Sequence, residues 1–152
     1  MKQLIIIFIV GLLSLKAFSQ DENSIKLQST ATLILTKTAT GRYDFKIAEI
    51  KKFDNGPDEN GDHLFTGKPD SNQVKLFFFR GKFGSAPATL LVIKSGLSVP
   101  LEYSAKIKPK GRGRFRMTSV MPLFPNLRSV EEWPDSLDEI IIDNFAVSNA
   151  RM

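Results

Sequence analysis

Seven short stretches of extended-type sequence, each bounded by Gly, Pro, Asn or Asp with almost no helical spacing between them, constrain this chain more than any other feature. They fall at 31–36, 42–50, 73–80, 88–94, 99–108, 113–121 and 139–147. Tyr43, Phe45 and Ile47 alternate with Asp44 and Lys46, the period of a half-buried strand, and the change of phase to Ile50 predicts a β-bulge. Leu76-Phe77-Phe78-Phe79 and Leu90-Leu91-Val92-Ile93 do not alternate. Such runs imply burial on both faces, or one face on the core and the other beneath a loop or a partner. The expected fold is all-β, an antiparallel β-sandwich of immunoglobulin-like architecture with about seven strands, a small barrel being the next alternative. Two cysteines around a core tryptophan are missing, so the likeness is one of architecture and not of lineage.

One segment breaks the extended pattern. Ser129 stands three residues before Glu132, the spacing of a capping box, and Pro134 is placed to begin or interrupt a turn. A short helix is therefore expected near 128–137, before the β-branched run Ile140-Ile141-Ile142 restores extended structure.

The N-terminus reads as a signal peptide over residues 1–19. Lys2 supplies the positive start, Leu4 to Leu15 an apolar stretch of about a dozen residues, and Ala17-Phe18-Ser19 a small-x-small cleavage pattern. A membrane span needs about 20 apolar residues, so an uncleaved anchor is the weaker reading, although Lys16 lies unusually close to the cleavage site. The ending Ala17-Phe18-Ser19-Gln20 resembles export signals common in the Bacteroidetes group of Gram-negative bacteria. Residues 20–30 are polar and expected to form a flexible segment, leaving 31–152 as a single sandwich domain.

The chain has no cysteine, which excludes disulfides, thiolate metal sites and the acylated cysteine of a lipoprotein. The expected destination is the periplasm, the cell surface or the exterior. Loss of Lys2 and Lys16 with the leader leaves 19 basic against 16 acidic residues, about +3. So modest a charge does not indicate a nucleic-acid partner.

The charge is patterned, however. Lys106, Lys108, Lys110, Arg112, Arg114 and Arg116 occupy every second position, between apolar Tyr103, Ala105 and Ile107 on one side and Phe115, Met117 and Met121 on the other. A hairpin with a three-residue loop centred on Gly111 keeps both apolar sets on one face and opposes Lys108 to Arg114 and Lys106 to Arg116. Such a cationic row would suit phosphate or carboxylate groups of an envelope lipid, an acidic glycan or an acidic protein surface. The plainer reading is a solubilising face that discourages edge-to-edge association.

Asp54, Asn55, Asp58, Asn60 and Asp62 offer oxygen donors of the kind calcium prefers, but a loop opening at Asp58 would close on Pro69, so this is no EF-hand. The same residues are the ordinary vocabulary of turns, and the loop is retained as a weak ligand candidate. His63 is the single histidine, which excludes a His/Cys zinc site, and no nucleophile-elbow sequence accompanies it. Trp133 offers a ring for stacking on a sugar, against the commoner role of plugging one end of a sandwich core.

No cofactor, metal site or catalytic constellation is legible. The expectation is a non-enzymatic binding or assembly module of the bacterial envelope, with an envelope protein, anionic glycan or anionic lipid surface as partner. The alternative is a carbohydrate-binding protein or small carbohydrate-directed hydrolase. A third reading makes the phenylalanine run an interface within a larger machine.

Overall fold

The computed structural model describes residues 23–54, 65 and 67–149. They form nine strands: β1 Ser24–Lys26, β2 Ser29–Lys37, β3 Tyr43–Lys52, β4 Gln73–Phe83, β5 Ala86–Ser95, β6 Leu101–Pro109, β7 Arg116–Thr118, β8 Arg128–Trp133 and β9 Leu137–Val147. All pairings are antiparallel, in a four-stranded sheet ordered β1-β9-β6-β7 and a five-stranded sheet ordered β3-β2-β4-β5-β8. The chain is a β-sandwich.

The two layers meet through side chains at alternate positions. Ala31, Leu33 and Leu35 of β2 and Val74, Leu76 and Phe78 of β4 face Leu101, Ala105 and Ile107 of β6 and Ile140, Ile142 and Phe145 of β9 across one core. Ile25 and Trp133 join it from β1 and β8. The bulge read from β3 is present. Thr32 pairs with Glu49 but Leu33 with Ile47, so Ala48 is the extra residue, and Tyr43, Phe45 and Ile47 pack on the core.

The unbroken apolar runs are explained by a second core on the outer face of the five-stranded sheet. Phe79, Ala88, Leu90 and Val92 are buried there under Phe53, Phe65, Phe77 and Val130. The Phe65 ring meets Phe77 edge-on at 5.1 Å, and Phe53 lies 6.4 Å from both Phe77 and Phe79. Phe78 faces the main core instead, as the strand period of two requires. Phe53 and Phe65 of the same chain thus pack on this face, in keeping with the loop alternative for the cover of such a run.

Two expectations are corrected. No helix occurs among the described residues, and Arg128–Trp133 is a strand paired with β5 from Thr89↔Trp133 to Lys94↔Arg128. The cap spacing is a local preference, whereas β8 satisfies the free edge of β5 and buries Glu131 and Trp133 on one face with Val130 on the other. Within the polar segment 20–30, Ser24–Lys26 pairs with β9 and Ile25 is fully buried. The chain then crosses between layers at Leu27 and Gln28, the latter with φ 60°.

Candidate anion-binding end of the basic hairpin

The six alternate cations do not form one row. β6 pairs with β7 through Ala105↔Thr118, Lys106↔Met117 and Ile107↔Arg116, an even-length connection where an odd one was expected. The arms therefore present opposite parities: Ile107 is buried, while Met117 points away from the core and is 61 % exposed. Physical reasons favour this register. It avoids setting Lys106 against Arg116, a like-charge opposition that would cost stability. It also places Thr118 on the inner face, where its Oγ1 accepts from the Trp133 Nε1–H at 2.9 Å.

Carboxylates from β9 and the turn before it neutralise half of the set. On the outer face of the four-stranded sheet, Lys106 Nζ lies 3.3 Å from Asp143 Oδ2 and Lys108 Nζ 2.9 Å from Glu139 Oε1. Partial burial pushes the Glu139 carboxyl up, but the hydrogen bond from Lys108 and the charges of Lys108 and Lys26 prevail and hold it below the usual range. Arg116 Nη2 donates to Asp135 Oδ2 at 2.7 Å.

Lys110, Arg112 and Arg114 are exposed and make no ion pair among the described residues. Lys110 and Arg112 sit on a turn held from both sides, and Arg114 follows it. Arg112 N–H donates to Pro109 O, Gly111 adopts φ 72°, and Lys110 N–H donates to Ser136 O at 2.8 Å. Positive φ at this point of the turn is why a glycine is needed there. Beyond it, Pro109, Arg112, Gly113, Arg114, Phe115 and Arg116 line a shallow recess of about 510 Å³. The Phe115 ring is half-buried, with Lys108 Nζ 5.7 Å from its centroid.

Asp135 anchors this end of the sandwich. Its carbonyl accepts from Arg80 Nη1 at 3.1 Å and from Thr89 Oγ1 at 2.8 Å, while its carboxylate holds Arg116. The β4–β5 hairpin, the β8–β9 turn and the basic hairpin are thereby tied at one end of the molecule.

The remaining predicted positions do not converge on it. Asp54 is exposed at the end of β3, whereas Asn55, Asp58, Asn60, Asp62 and His63 lie outside the described residues. Among the described residues no three acidic or histidine side chains gather as metal ligands. Trp133 is 8 % exposed within the main core, so no ring face is open for stacking on a sugar.

The buried polar group missed by sequence reasoning is Glu131, 8 % exposed on the inner face of β8. Its Oε1 accepts from Met121 N–H at 2.7 Å, linking the open edges of the two sheets. Burial pushes its carboxyl above the usual value, against the lowering effect of that hydrogen bond. The neighbouring Tyr103 hydroxyl is raised first by burial and then by the Glu131 charge. Once 128–133 is read as a strand, the parity of Glu131 with Trp133 is the signal that places it inside. Comparison with family models, curated proteins and solved structures finds no match.

Proposed function

We propose that this protein is an exported, non-enzymatic binding module of the bacterial envelope that engages an anionic ligand through the end of its basic hairpin. One observation carries the reading. Lys106, Lys108 and Arg116 are matched by carboxylates, whereas Lys110 and Arg112 stand exposed on a braced turn and Arg114 just beyond it, the two arginines beside an open recess. Cations serving only solubility have no need of a turn tied down by Pro109 and Ser136. Of the three arginines lining the recess, Arg116 is held by Asp135, and the guanidinium groups of Arg112 and Arg114 suit phosphate, sulfate or carboxylate, which arginine binds in a bidentate manner. The alternating inward residues of two antiparallel sheets also support the immunoglobulin-like reading of the architecture.

Retention on a sulfated or phosphorylated polymer tests the proposal. The wild-type protein binds and is released by salt, as exposed charges require. Lys110→Gln, Arg112→Gln and Arg114→Gln together abolish retention, while Lys106→Gln with Lys108→Gln leaves most of it. Equal loss from the two sets, or none from the first, rejects the assignment.

A further inference from the structure

We propose that the anionic ligand is a lipid surface, and that Phe83 is the apolar anchor which enters it beside the basic hairpin. This inference rests on the anion-binding reading above and specifies its partner. The β4–β5 hairpin ends in a two-residue loop, Gly84-Ser85, between paired Phe83 and Ala86. Gly84 adopts φ 60°, as the first position of a type II′ turn requires, so the tip is a defined projection. Residues 82–87 are all exposed, and Phe83 is 58 % exposed although its strand-mates Phe77 and Phe79 are covered by the second core.

The position of this phenylalanine matters more than its exposure. Arg80, paired with Thr89, reaches Asp135, and Asp135 holds Arg116 of the basic hairpin. Phe83 stands three residues beyond Arg80, a projection of about 10 Å past that junction. Lys110, Arg112 and Arg114 project from the same end, beyond the last paired residues Pro109 and Leu137. Two adjacent hairpin tips thus present, at one end of the molecule, an aromatic ring and three cations that have no carboxylate partner among the described residues. A bilayer bearing phosphate headgroups complements both at once, the cations at the headgroups and the ring at the boundary with the acyl chains. A soluble polyanion complements only the cations.

The experiment compares co-sedimentation of the exported protein with vesicles of phosphatidylcholine, with and without phosphatidylglycerol, against retention on immobilised polyphosphate. Wild type is expected to bind the vesicles containing phosphatidylglycerol and to bind polyphosphate. Phe83→Ser is expected to weaken vesicle binding roughly tenfold or more and leave polyphosphate retention unchanged. The triple glutamine variant is expected to lose vesicle affinity on the order of 100-fold, and polyphosphate retention with it. As a second readout, Phe83→Trp is expected to show a blue-shifted emission increment on adding anionic vesicles. Polyphosphate retention without vesicle binding, or vesicle binding indifferent to Phe83→Ser with no such increment, overturns the lipid inference and leaves the anion reading standing. Failure to bind either overturns both.

Discussion

At the scale of single residues, the main constraints are those of space and of buried charge. A Cβ built on Gly96 would lie 2.6 Å from the Pro69 carbonyl oxygen and closer still to that of Asp70, both backbone atoms that cannot swing aside. Gly96→Ala is therefore expected to destabilise the fold by about 1–3 kcal/mol in urea denaturation, through displacement of the segment entering β4. Glu131 and Glu139 make opposite contributions to pH dependence. Glu131 has a raised carboxyl pKa in the folded state, so its stabilising contribution is fully present below the ordinary glutamate value and is lost as pH rises through the folded one. Glu131→Gln retains an acceptor for Met121 N–H without the buried charge. It is expected to match wild type near about pH 4 and to melt higher at about pH 8. Glu139, held low by Lys108, contributes above the ordinary value, and that contribution is lost as pH falls through the folded pKa. Glu139→Gln should accordingly lower the melting temperature at neutral pH and converge with wild type in acid.

At the scale of elements, Ala48 keeps two halves of β3 in phase. Deleting it forces either Tyr43, Phe45 and Ile47 or the residues beyond them onto the wrong face of the sheet. A loss of about 3 kcal/mol is expected from three half-buried apolar side chains, measured by denaturant titration. This bulge was legible because alternation changed phase within a single strand. Seven strands were legible from alternation or from short apolar runs between turn residues, whereas β1, with three residues, is too short to display a period. β8 was hidden by a cap-like spacing that competes with its pairing to β5. The register of the basic hairpin was not legible at all. Parity along β6 and β7 points to an odd loop, and the even one is settled by contacts to Asp135 and Trp133 on other elements. Which cations are neutralised was equally hidden, since Asp143 and Glu139 reach Lys106 and Lys108 from 37 and 31 residues away.

At the scale of the molecule, the proposed binding residues lie at one end while the buried apolar side chains are distributed through two cores. Substitutions at Lys110, Arg112, Arg114 and Phe83 touch neither core, so each is expected to change stability by less than about 0.5 kcal/mol. Binding and folding can thus be measured separately on the same variants. The connection between Asp54 and Phe65 has a further consequence. β1 is laddered to β9 in one sheet, and β2 to β4 in the other, so the portions before and after that connection adhere through both layers. A protease site engineered between these two residues should yield fragments that elute together on a sizing column. If the portions also associate when expressed as separate polypeptides, the protein becomes a complementation pair, whose reassembly reports when both halves have reached the same compartment.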